Sequence, residues 1–159
     1  MDATIIVPTG ALLGLDAVRA AREGGIHSVL LQTRKPPVSF TGVPHVEALG
    51  LGPLQDLQAA VCVFRGSARD AAKALPQNVN VAASLSFAGI GLDRTRVEVW
   101  ADPACSQNEH VVSVDAVDTR FSMRIQNNPS ADNPKTSLLT AASVVASLRR
   151  LTDRLVIGS

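Results

Sequence analysis

Three segments in the second half of the chain alternate strictly between apolar and polar side chains, and this alternation constrains the fold more than any other feature. The segments are 96–101, 110–115 and 120–126. A period of two places alternate side chains on opposite faces of a strand, so each segment is predicted to be a β-strand with one buried face. The gap 116–119 is short enough for a hairpin, so at least part of the sheet is predicted to be antiparallel.

The first third of the chain predicts a strand, a helix and a second strand. Residues 3–8 are a β-branched run that ends in a turn, and residues 26–33 form a similar run. Between them, Leu15, Val18 and Ala21 recur at helical spacing before a pair of glycines. Together these segments predict a βαβ unit with a right-handed crossover.

The remaining segments predict two further short strands and three helices. Residues 36–54 carry many prolines and glycines and predict an irregular loop. The further predicted elements are a strand over 60–64, a helix over 68–75 with Ser67 as N-cap, an all-round apolar and therefore buried helix over 78–90, a helix from the N-cap Asn133 to about Leu151, and a last short strand over 155–157.

Composition bounds the class of protein. A chain of 159 residues with 46% hydrophobic residues is predicted to be one soluble domain with its own core. A formal charge of +1 and five aromatic residues do not favour binding to nucleic acid or to an anionic membrane. Without a membrane span or a basic leader, the protein is expected to be cytoplasmic, with Cys62 and Cys105 behaving as small hydrophobic residues rather than as a disulfide.

The sequence offers few candidate catalytic or binding residues. No glycine-rich dinucleotide fingerprint, phosphate-binding loop, zinc-protease motif or hydrolase elbow occurs in the sequence. His110 begins a strand on its apolar face, with Asn108 on the same side, and is either an acid–base group or a hydrogen-bonded structural histidine. Asn80 lies in an apolar helix, where a buried amide needs a partner or a ligand. Lys135 lies at a predicted helix N-terminus, where it either helps to bind an anion or belongs to an ordinary helix cap.

Several blocks resemble one known family, the C-terminal catalytic domain of L-aspartate dehydrogenase. They occur in order over almost the whole chain, and they are Pro8 to Ala11, Gly14 to Ala17, Thr33 to Pro37, Gly66 to Arg69, Asn78 to Ala83, Gly89 to Arg96, Ala101 to Pro103, Asn108 to His110 and Asn133 to Ser137.

The resemblance implies a mixed, partly antiparallel sheet with helices packed on one face, in an α/β domain that mediates dimerisation. It implies oxidation of L-aspartate with NAD or NADP to iminoaspartate and then oxaloacetate. His110 would match the family's active-site histidine, and Ala11 and Asn80 would contact the nicotinamide cofactor. Substrate-binding positions would be Thr9, Gly10, Asn108 and Lys135. Candidate cations for the substrate carboxylates are Arg34, Lys35, Arg69 and Lys135, which spacing alone does not rank.

Two departures from the family pattern stand out. Thr9 occupies a position where the family usually has serine, which keeps a hydroxyl near the cofactor. The family's N-terminal Rossmann domain has no counterpart in residues 1–159, which are therefore expected to form a single domain without a binding surface for the cofactor's pyrophosphate and adenine.

Three functions remain open at this point. The chain is a catalytic half that needs a nucleotide-binding domain from elsewhere, a stand-alone domain that performs non-redox acid–base chemistry on an aspartate-like substrate, or a binding and dimerisation module without chemistry. An exposed apolar surface over 8–13 and 136–151 would favour the first function. The last helix has too many apolar residues for one stripe, which predicts a dimer or higher oligomer.

Overall fold

A computed structural model describes residues 3–76, 80–128 and 137–157. In these residues the chain forms five strands and five helices. They are α1 (Leu15–Gly24), β1 (Ile26–Lys35), α2 (Pro44–Glu47), β2 (Val61–Ser67), α3 (Ala68–Ala74), α4 (Asn80–Ala88), β3 (Thr95–Ala101), β4 (Asn108–Ala116), β5 (Arg120–Asn127) and α5 (Leu138–Arg150). The loop between β1 and β2 contains only single turns of helix, as its proline and glycine content predicts.

The strands form one mixed sheet in the order β2-β3-β1-β4-β5. The central strand β1 pairs parallel with β3 and antiparallel with β4, and the two outer pairings are also antiparallel. The predicted hairpin between β4 and β5 is confirmed, with the Ala116 amide donating to the Thr119 carbonyl at 2.9 Å. The mixed α/β class of fold is therefore confirmed.

One face of the sheet is buried beneath α1, α3 and α4. Along β1 the side chains of Val29, Leu31 and Thr33 are buried on this face, whereas Gln32 and Arg34 on the opposite face are partly exposed. The same alternation runs through β3 and β4. The helices thus cover one face of the sheet, here called the covered face, and its polar residues are removed from water.

The prediction of a first strand over 3–8 is wrong. Residues 3–9 have no regular secondary structure, and Ile5 is 88% exposed. A β-branched run forms a strand only where a neighbouring strand supplies hydrogen bonds, and the pairings of β1 are taken by β3 and β4. The predicted βαβ unit over 3–33 is therefore wrong too, and for the same reason the predicted strand over 155–157 is absent.

Two helix predictions need correction, one in the position of the N-terminus and one in the extent of burial. Helix α5 begins at Leu138, and its N-cap is Ser137, whose hydroxyl accepts a hydrogen bond from the Leu139 amide. The predicted N-cap Asn133 lies outside the described residues. Helix α4 is less buried than its composition predicts, because Phe87 is 60% exposed. By contrast Ser67 caps α3 as predicted, accepting from the Asp70 amide.

No helix in the described part of the chain is both long and apolar enough to cross a membrane.

Candidate active site

Strand register brings polar side chains from three strands together at one end of the covered face. Thr33 lies opposite His110, and Asn108 lies opposite Asn127. Lys35 lies beside Ala101, which is fully buried on the covered face. This end of the sheet holds the carboxyl ends of the parallel strands β1 and β3, which is where ligands bind in open α/β sheets.

His110 is the most deeply buried titratable group of this cluster. Its side chain is 5% exposed, and Nδ1 lies 3.0 Å from Oγ1 of Thr33 in a hydrogen bond. Burial lowers the pKa of His110 to about 4, and the positive charge of Lys35 acts in the same direction, against a weaker opposite effect of Glu109. The imidazole is therefore neutral at neutral pH, and Nε2 is the ring nitrogen that Thr33 leaves for a ligand.

The structure distinguishes between the candidate cations. Lys35 is partly buried at the end of β1 on the covered face, and burial lowers its pKa to about 8. Arg34 points to the opposite face, where it bonds Asp102 at 2.9 Å. Arg69 is exposed and forms an ion pair with Asp93. Lys135 lies outside the described residues, so among the described candidates Lys35 is the one beside His110.

Asn127 connects this cluster to the predicted cofactor turn. Its Nδ2 donates to the Ala11 carbonyl at 3.1 Å, and its Oδ1 accepts from the hydroxyl of Ser137 at 3.0 Å. The Gly10 amide donates to Oγ of Ser143 in α5, also at 3.0 Å. The turn at Thr9–Ala11 is therefore held against β5 and α5, next to the strand end that carries Asn108 and His110.

Replacing Asn127 by alanine is expected to loosen this junction. Asn127 is 5% exposed, so the change leaves the Ala11 carbonyl and the Ser137 hydroxyl without their buried partner. We expect a loss of about 1–3 kcal/mol in the free energy of unfolding. We also expect amide hydrogen exchange in α5 to become faster than in the wild type, whereas exchange in β1 stays unchanged. Asn128→Ala is the matched control, because Asn128 is exposed, and equal exchange rates in the two variants would contradict the prediction.

Asn80 does not have the environment that its apolar neighbours predict. It is the first residue of α4 and its side chain is exposed. The prediction that the amide of Asn80 is buried is therefore wrong. One turn later in the same helix, Ser84 lines a cavity of about 850 Å³ together with Thr9 and Phe87. Asn80 lies four residues before Ser84 and therefore on the same face of α4, and it is not part of the core.

Exposed apolar side chains line much of this cavity and form what is here called the apolar surface. They come from the N-terminal segment, from α4 and from the chain after α5. They are Ile5, Ile6, Val7, Phe87, Leu151, Val156 and Ile157, each at least 49% exposed. Exposed apolar side chains grouped in this way on a folded domain make the apolar surface a candidate interaction site.

Sequence reasoning missed two residues of the cluster, Thr33 and Asn127. Thr33 falls on the apolar face of the predicted strand 26–33, where a hydroxyl among aliphatic neighbours is a signal for a buried hydrogen bond. Asn127 follows directly on the predicted strand 120–126 and continues its alternation. Both residues reach the cluster through the pairing of their strands with β4. The alternation within one strand gives no information about that pairing.

The fold and the cluster define a class: a mixed α/β domain with a buried histidine and lysine at the strand ends, which is an arrangement suited to acid–base chemistry on an anion. The family model described as "Aspartate dehydrogenase, C-terminal" matches residues 16–151. The chain therefore belongs to the family of aspartate dehydrogenase C-terminal domains.

Individual relatives agree with this assignment. An L-aspartate dehydrogenase of Bradyrhizobium diazoefficiens is 50% identical over 155 residues, which are 98% of this chain and 55% of that protein. One from Methanosarcina barkeri is 45% identical over 96% of this chain and 56% of its own. The crystal structure of aspartate dehydrogenase from Thermotoga maritima matches with a TM-score of 0.73 and 30% identity, over 95% of this chain and 55% of that one. The chain thus spans just over half the length of these relatives.

Proposed function

We propose that residues 1–159 form the substrate-binding and acid–base half of an NAD(P)-dependent L-aspartate dehydrogenase. The observation that carries the proposal is the buried, neutral His110, with Nδ1 bonded to Thr33 and Lys35 beside it. The nucleotide-binding half then comes from residues outside 1–159, either on the same polypeptide or on another one. The names of the relatives, each an aspartate dehydrogenase, support the choice of reaction.

In this proposal His110 moves protons while the substrate is oxidised. Converting the amino group of L-aspartate to an imine removes a hydride from the α-carbon and a proton from the nitrogen, and hydrolysis of the imine releases ammonia. When Nδ1–H donates to Oγ1 of Thr33, Nε2 of the neutral imidazole carries no hydrogen and accepts this proton. The Thr33 contact fixes the plane of the ring, and the burial of His110 limits the access of water to the imidazole.

The described residues fit the reacting end of a nicotinamide cofactor, which accepts the hydride in this chemistry. The turn at Gly10 has a positive φ of 65°, and a Cβ built there would meet no atom within 4 Å, so the backbone is open to a flat ring. Ala11 continues this turn, and the exposed amide of Asn80 is available to a carboxamide. The sequence contains no glycine-rich fingerprint for the pyrophosphate, which fits a cofactor held mainly by other residues.

We further propose that the apolar surface contacts the nucleotide-binding half. The N-terminal segment that contributes Ile5, Ile6 and Val7 precedes the turn at Gly10, so a domain docked there would lie next to the reacting end of the site. Dimerisation, a small dicarboxylate or amino acid as substrate, and the absence of nucleic-acid and membrane partners remain predictions from the sequence.

A chimera tests the function directly. The matching 155 residues of the Bradyrhizobium diazoefficiens relative are replaced by this chain. The chimera thus retains the remaining N-terminal part of that relative. We expect the chimera to consume NADH or NADPH when given oxaloacetate and ammonium, and the chain alone to show no turnover. The unmodified relative is the control. A folded chimera without turnover would refute the proposed redox function, and turnover by the chain alone would refute the need for a second half.

A further inference from the structure

We propose that Lys35 is the cationic group that binds a carboxylate of the substrate, a small dicarboxylate, next to the imidazole of His110. This inference rests on the proposed function for the class of ligand. The position of the lysine rests on the structure alone. It names one of four candidate cations that spacing in the sequence does not distinguish.

Strand geometry places the ammonium on the same side of the sheet as the histidine. Lys35 follows Thr33 by two residues, so both side chains lie on the covered face, and Thr33 bonds Nδ1 of His110 at 3.0 Å. The neighbour of Lys35 on β3 is Ala101, which is fully buried on that face. The side chain of Lys35 thus extends from the end of β1 into the polar cluster.

His110 and Lys35 have different roles in binding an anion. Burial and the nearby lysine keep His110 neutral, so it offers a neutral nitrogen to the reacting part of a ligand. Lys35 supplies the positive charge, and burial lowers its pKa to about 8, so the isolated site disfavours that charge. A bound carboxylate favours the ammonium form, and a charge-assisted hydrogen bond in a partly desolvated site is stronger than one in water.

The other described candidates lie on other surfaces of the domain. Arg34 stacks over the ring of Trp100 at 5.2 Å and bonds Asp102, both on the face opposite His110. Arg69 lies on α3, bonded through two nitrogens to Asp93 at 2.6 and 3.0 Å. Neither guanidinium reaches the covered face from these positions.

Binding of succinate to the purified chain tests the proposal without any redox step. Succinate carries two carboxylates, and succinamide has the same shape without charge. We expect the wild-type chain to bind succinate more tightly than succinamide, and Lys35→Met to weaken succinate binding about tenfold to a hundredfold. Lys73→Met is the matched control, because Lys73 is an exposed lysine on α3. Lys35→Gln is the second variant, in case packing at methionine differs.

The pKa of His110 is a second measurement, and it tests whether succinate binds at Lys35 or Lys35 only lies near the histidine. The pKa of His110, followed by NMR, is expected to rise in Lys35→Met, because a neighbouring positive charge is removed. Succinate is expected to raise the same pKa in the wild type and to have less effect in the variant. Equal succinate affinity in wild type and both variants would overturn the proposal, as would a wild-type chain that binds succinate no better than succinamide.

The outcome is independent of the test of the redox function. An inactive chimera whose succinate binding still depends on Lys35 would refute only the dehydrogenase activity. An active chimera in which Lys35→Met leaves the KM for oxaloacetate unchanged would refute only the role of Lys35.

Discussion

Replacing His110 by alanine in the active chimera is expected to lower kcat by about 10²- to 10⁴-fold, the range that a positioned acid–base group contributes. The alanine removes the nitrogen that takes the proton at Nε2, and it also breaks the bond to Thr33. Initial rates of NADH or NADPH consumption with oxaloacetate and ammonium measure the loss.

Two variants separate chemistry from packing. His110→Gln retains polar atoms in the buried position and is expected to remain folded and inactive. His27→Ala removes an exposed histidine from β1 and is expected to leave kcat within about twofold of wild type, since surface changes away from the site have small effects. If His110→Gln retained full activity, His110 would be a structural histidine and the acid–base role would be wrong.

The free energy of unfolding is expected to fall by about 3 kcal/mol as the pH decreases from 7 to 4. The ordinary pKa of a histidine side chain is 6.5, and in the folded protein burial lowers the pKa of His110 to about 4. Between these values the unfolded chain binds a proton that the folded chain does not, so acid favours unfolding. The stabilisation is complete above pH 6.5 and is lost as the pH falls towards 4. Urea denaturation at a series of pH values measures it.

His110→Asn should flatten this part of the pH profile. The carboxyls of Glu98 and Glu109 have pKa values lowered by hydrogen bonds to neighbouring side chains, so their contributions are lost at lower pH than that of His110. His27→Ala is again the control and should retain the slope. A wild-type slope that persists in His110→Asn would show that another group causes it.

Alternation within strands predicted the fold well where strands pair, and poorly at the two ends of the chain. Segments 96–101, 110–115 and 120–126 are all strands, because each has neighbours that complete its hydrogen bonds. Residues 3–8 and 155–157 have similar apolar side chains, but they form no strand in this chain. Local propensity does not report whether a pairing edge is available.

The candidate site was predicted in part. His110 and Asn108 fall on the predicted face of β4, since period two fixes which side a residue occupies. The neighbours that give His110 its chemistry, Thr33 and Lys35, depend on the register between two distant strands. The prediction for Asn80 was wrong about burial, because a polar residue in an apolar stretch also fits the first turn of a helix.

The position of β1 at the centre of the sheet affects the order in which the fold can form. Its side chains bond to partners 66 residues later on β3 and 77 residues later on β4. Closing loops of that length is entropically costly before any contact compensates it, so folding is slow compared with that of helical domains of this size. During synthesis β1 leaves the ribosome well before either partner, whereas the β4–β5 hairpin can form as soon as it emerges. Thr33 can therefore meet His110 only after the chain has been synthesised through β4, so the site depends on the pairing of β1 with a distant strand.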